Sequence, residues 1–408
     1  MKRVFSSESI LSRVILTKRR FITIMVICIK ILVMVFSPPT GDFINWAGGA
    51  SFVFGLLVTG RFPPIAATGV YVSLFLVLAP FFWVWKALPI DHPPLQSLLF
   101  STSSPAVLLA VLLKAPILIC DIATGILLCR LVREITHSEH KGRIASLVWY
   151  ANPFNIYWIE AFGGMDVIPT FLLVLGIVLA TSKKWFRCGI SLSVGTLLRI
   201  FPLFIFPYFL LAVNKRTTRH YVLLIAGFLI PLIIALCAVY SAKAGTLTTI
   251  LNLPGIWHQF WLLDFLGWDI TNQFTKTTLV LLVVQFFIAA EFWRKPNLIH
   301  LATVSLLAIY TGALAYGGTA QHFIWGSALL SACVALNSDE SWIFILTFVT
   351  GSLYLTPIVG VATIPPVLYD LTMSFIGGTF YAAKAGYLVK INLENLHRSG
   401  FRLPQLRT

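Results

Sequence analysis

The stretch Lys114 to Leu131 reads KAPILICDIATGILLCRL. It forms the middle of a longer apolar segment, residues 106–132, and carries one acid, Asp121, with basic residues only near its ends, at Lys114 and Arg130. A helix crossing a bilayer needs about 20 mainly apolar residues. This segment exceeds that, so it reads as one long or tilted span. The acid within it must be paired or functional, because a charge in hydrocarbon is costly. An ion pair with Lys114 or Arg130, in neighbouring turns, and a functional role are equally good readings of Asp121.

The rest of the chain repeats the pattern. Of 408 residues, 58% are hydrophobic and only 11% charged, whereas soluble domains carry about 25% charged residues. A chain this apolar has too little polar surface to face water on all sides, so the expectation is an integral membrane protein. The net charge of +15 would suggest nucleic acid in a soluble protein. Here the basic residues fall in short clusters between apolar runs, which is the positive-inside pattern, and nucleic-acid binding is excluded. The six cysteines lie in apolar stretches with no CxxC and no metal-ligand spacing. The basic N-terminus leads into an apolar run without a small-residue cleavage site, so a retained first helix is expected.

If every basic cluster is cytoplasmic, an even number of crossings separates each neighbouring pair. Residues 21–37, 144–160, 221–241, 298–315 and 342–357 then run outward, and 106–132, 166–182, 276–292, 323–337 and 371–390 return. Residues 188–213 become two short segments meeting at Arg199–Pro202. Residues 65–88 break the parity. They are either interfacial or re-entrant, the favoured reading, or they span with 95–113 as an extra crossing. The expected organisation is a cytoplasmic N-terminus (1–20), one transmembrane domain (21–390) and a basic cytoplasmic tail (391–408). The outside segments, 38–64, 89–104, 161–165, 242–275, 316–322 and 358–370, collect, within them or beside their edges, Asp42, Asp91, His92, Glu160, Asp166, His258, Asp264, Asp269, Gln321 and His322.

Several short motifs follow one another along this map. They are Asp42 after the first helix, Gly60-Arg61-Phe62-Pro63, His92-Pro93-Pro94-Leu95, Cys120-Asp121 and Asn152-Pro153. Then come Gly163-Gly164-Met165-Asp166, Leu198-Arg199-Ile200-Phe201-Pro202 and Gln321-His322-Phe323-Ile324-Trp325. In this order, over about residues 21–340, they resemble the C-type superfamily of membrane glycosyltransferases, which use polyprenyl-phosphate sugars. The closest resemblance is to the first mannosyltransferase of GPI-anchor synthesis and its prokaryotic relatives. The chain departs from that pattern in three places. The paired acids after the first helix are reduced to Asp42 with Asn45, the late tyrosine is His322, and residues 65–88 look like an insertion.

The resemblance implies an all-α, multi-pass helix bundle of the glycosyltransferase-C type. It would have about twelve membrane segments, with juxtamembrane helices in the first external loop. It implies inverting transfer of a hexose, mannose by the closest likeness, from a dolichyl- or polyprenyl-phosphate donor to a lipid-linked or glycan acceptor on the non-cytosolic face. Asp42 would be the general base. Arg199 would bind the donor phosphate, and Asp91, His92, Asp166, Gln321 and His322 would line the substrate site. No metal ligand is predicted, and the donor is a substrate rather than a cofactor. The partners would be the bilayer, the lipid-linked sugar, the acceptor and a small membrane subunit. The location would be the cell membrane in a prokaryote and the endoplasmic reticulum membrane in a eukaryote, with both termini cytoplasmic.

Bland readings stand beside these. Asp42 and Asp166 suit helix caps, Asp91 suits a turn, Arg199 can snorkel to the interface, and His322 can be an interfacial histidine. A secondary transporter or lipid flippase would also place carboxylates and an arginine in membrane helices, but should show internal symmetry, and none is visible. A non-catalytic scaffold of a glycosylation complex would leave Asp42 dispensable.

Overall fold

A computed structural model describes residues 7–37, 47–51, 72–98, 101–199, 201–213, 218–241 and 324–336, with isolated positions between 285 and 305. The described residues are helical, without strands. In chain order the helices are α1 (Ser7–Phe36), α2 (Val72–Ala87), α3 (Ser104–Thr136), α4 (Glu139–Tyr150), α5 (Val167–Thr181), α6 (Trp185–Leu198), α7 (Phe201–Ala212), α8 (Thr218–Ser241) and α9 (Ile324–Leu336). Between α4 and α5 a short helical turn, Pro153–Asn155, passes into a π-helix, Ile156–Ala161.

Among the described residues, two stretches are long and apolar enough to cross a membrane, Ser104–Thr136 and Thr218–Ala235. The expected long span is thus a single helix, α3, starting at Ser104 with Pro105 in its first turn, where proline's missing N–H costs nothing. An extra crossing over 95–113 is not formed, because Leu95–Leu98 is a short 3-10 turn ahead of α3. Residues 72–87 form one helix with Pro80 inside it. The segment expected over 144–160 is interrupted. Its first half is α4, and Asn152 then opens a new turn, its side chain accepting from the Phe154 N–H at 3.1 Å. The two short segments expected over 188–213 are α6 and α7, separated at Arg199, whose backbone is extended (φ −155°, ψ 140°). The spans expected at 276–292, 298–315, 342–357 and 371–390, and the count of twelve, lie wholly or largely outside the described residues.

The helices bury only part of their apolar surface. Over residues 21–36 of α1 the buried positions are Val26, Lys30 and Met34, one narrow stripe, while Phe21, Ile24, Leu32 and Phe36 are exposed. On α8, Val222, Leu229, Ile233 and Ile234 are exposed. Side chains from α4 reach the backbone of α3: the Trp149 indole donates to the Asp121 carbonyl at 3.1 Å and the Tyr150 hydroxyl to the Ile122 carbonyl at 2.6 Å. Small residues bring other helices to backbone contact. A Cβ on Gly189 of α6 would lie 2.7 Å from the Phe228 nitrogen and 2.9 Å from the Gly227 carbonyl carbon, both on α8. Close approach of this kind is how helices associate where lipid removes the hydrophobic drive between them.

Gly189→Val should therefore separate α6 from α8, because the obstacle is backbone and cannot rotate away. Overpacking costs about 1–3 kcal/mol where side chains can adjust, so the expected loss is at the top of that range or beyond. Thermal unfolding in detergent checks it, with Val222→Ala, on the exposed face, as a substitution expected to change little.

Candidate functional site

The 152–166 connection between α4 and α5 gathers buried polar side chains from the whole fold. It departs from α-helical geometry twice. Asn152-Pro153 ends α4, since proline cannot continue the preceding ladder, and residues 156–161 then widen into a π-helix, a form that clusters at functional sites. The segment closes through Gly163, which has a left-handed φ of 82° that glycine adopts without a steric cost. Gly164 follows, where a Cβ would lie 3.1 Å from Ile324 Cδ1 of α9 and closer still to the Trp158 carbonyl oxygen.

Three side chains of this segment tie it to three other elements. Asn155 accepts a hydrogen bond from Ser327 of α9 at 3.1 Å and donates to the Trp149 carbonyl at 3.0 Å. Glu160 receives Lys30 of α1 on both carboxylate oxygens, each at 3.1 Å. Asp166 pairs with Arg199 at 2.5 Å, in the break between α6 and α7. Lys30 also meets Asp121 of α3 at 3.0 Å, so one ammonium joins two carboxylates from two elements. Lys114 of α3 donates to the Ala161 carbonyl at 2.8 Å and the Ser37 carbonyl at 3.4 Å. Those carbonyls lie at the C-terminal ends of the π-helix and of α1, where the helix dipole favours a cation.

All of this is dry. Lys30, Lys114 and Asp121 are 0% exposed, Glu160 and Asp166 2%, and Arg199 7%. The buried charges are three cations and three anions, so the set balances. Beside it the Phe201 and Trp325 rings stack, centroids 4.6 Å apart.

Of the residues expected to form a substrate site, the structure brings Asp166 and Arg199 together, as partners of each other. The Arg199 guanidinium, expected at a donor phosphate, is engaged by the Asp166 carboxylate. Asp166 sits at the N-cap position of α5 but makes no side-chain cap bond, so it acts as a counter-ion rather than a cap. Asp91 is exposed. His92 packs edge-on against Trp85 of α2, centroids 4.5 Å apart. Asp42, Gln321 and His322 lie outside the described residues. Asp121 pairs with neither Lys114 nor Arg130; Arg130 bonds Glu134 instead, at 2.7 Å. Sequence reasoning missed Lys30, Lys114 and Asn155 as members of the cluster. A signal was present in Lys30, a lone lysine in the run ICIKILVMVF, which needs a partner as much as Asp121 does. Among the described residues no group of three or more His, Cys, Asp or Glu is placed to hold a metal ion.

Removing one partner of a buried pair costs about 3–5 kcal/mol, because a charge is left uncompensated, whereas replacing all the partners can be neutral. Lys30→Met should therefore destabilise the protein strongly. Lys30→Met combined with Asp121→Asn and Glu160→Gln should recover most of the loss. Thermal unfolding of the purified variants distinguishes the two, and no recovery in the combined variant would show that the ion contacts are not what holds α1.

Residues 74–264 match the family model described as GPI transamidase subunit PIG-U. The matched stretch contains Asp121, Glu160, Asp166 and Arg199 but covers less than half of the chain. No curated protein is similar enough to count as a match. The finding corrects the expectation of sugar transfer: the matching family is not a mannosyltransferase family, and its description names a transamidase subunit. The expected hexosyltransferase activity, with sugar transfer from a polyprenyl-phosphate donor, is overturned by this finding. What stands is that the chain is similar, over residues 74–264, to a membrane protein family of the GPI-anchor pathway.

Proposed function

We propose that this chain is an architectural membrane subunit of a GPI transamidase assembly, the machinery that attaches proteins to GPI anchors, in the endoplasmic reticulum membrane. The observation that carries the reading is the family match over residues 74–264, which covers the helices from α2 to α8. The buried cluster supports it. The carboxylates of Asp121, Glu160 and Asp166 are engaged by Lys30 and Arg199 and shielded from solvent, an arrangement suited to fixing helices. The exposed apolar faces of α1 and α8 suit lipid contact. In this reading the chain crosses the bilayer several times as one domain. Its outer polar residues Asp42, Asp91, His92, Gln321 and His322 serve contacts with the assembly.

Depleting the chain from cells tests the proposal. A reporter bearing a GPI-attachment signal should remain unattached, while membranes from the same cells transfer mannose from polyprenyl-phosphate mannose at the control rate. Affinity purification of the tagged chain should recover transamidase activity. Normal attachment in depleted cells would overturn the reading.

A further inference from the structure

We draw no further inference here: the strongest candidate, the half-buried ring cluster of Tyr157, Trp158 and Phe162 at the π-helix, where Trp158 meets the other two rings edge-on at 5.2 Å and 4.7 Å between centroids, carries nothing because the rings pack on one another and nothing in the structure shows what covers them.

Discussion

A lysine ammonium in a low-dielectric interior must find anions or leave, and Lys30 finds two. Its contacts with Asp121 at 3.0 Å and Glu160 at 3.1 Å decide where α1 sits. Helix α1 offers the body of the protein a narrow buried stripe of Val26, Lys30 and Met34, with large apolar residues exposed around it. Apolar contact alone gives such a helix little preference for protein over lipid, since lipid tails are as apolar as its own side chains. The ion contacts supply that preference and also fix rotation and depth, because Lys30 is the one charged residue in the apolar part of α1, residues 21–36. Lys114 strengthens the placement by reaching the carbonyl of Ser37, just past the end of α1.

The same logic extends along the 152–166 connection. Its buried polar groups face α9 at Asn155, α1 at Glu160 and the α6–α7 break at Asp166, so distant parts of the chain are registered against one short segment. The π-helix within it changes the angular spacing of the side chains, which lets Glu160 meet Lys30 while Asp166, beyond the Gly163-Gly164 turn, meets Arg199. Buried ion pairs are weak sources of net stability, because desolvation offsets the attraction. Their contribution here is better described as selection: an arrangement that misplaces any of the six charges strands one of them in an apolar interior, and is excluded for that reason.

Much of this architecture was legible in the sequence. Helices follow from apolar runs, and the interruption at Arg199–Pro202 follows from an arginine and a proline within such a run. The pairing was not legible, because a partner across 91 positions, as Asp121 is to Lys30, leaves no local trace. The eye pairs Asp121 with Lys114 and Arg130, which share its helix, while the structure turns all three to other partners. The break at Asn152–Pro153 could be read as a helix end, but the π-helical turn after it has no sequence signature of its own. The capping reading weighed for Asp166 beside a substrate role is not realised, for a physical reason: a carboxylate 2% exposed beside a guanidinium gains more from the cation than from a backbone N–H.

The misreading of activity has a structural cause that the cluster makes visible. The motifs that resemble a membrane glycosyltransferase include Cys120-Asp121, Asn152-Pro153, Gly163-Gly164-Met165-Asp166, Arg199 and Trp325. In the structure these positions build the framework: a counter-ion, a helix start, a tight turn, an ion pair and a ring stack. Asp121, Asn152, Gly163, Gly164, Met165, Asp166, Arg199 and Trp325 are all buried. A pattern of architectural residues reports how helices are fastened together, and proteins with different chemistry can share it, since function belongs to sites grafted on a fold. The order of the motifs was therefore informative about the framework and silent about the reaction. That is consistent with a match over residues 74–264 to a family described as a GPI transamidase subunit rather than to a mannosyltransferase family.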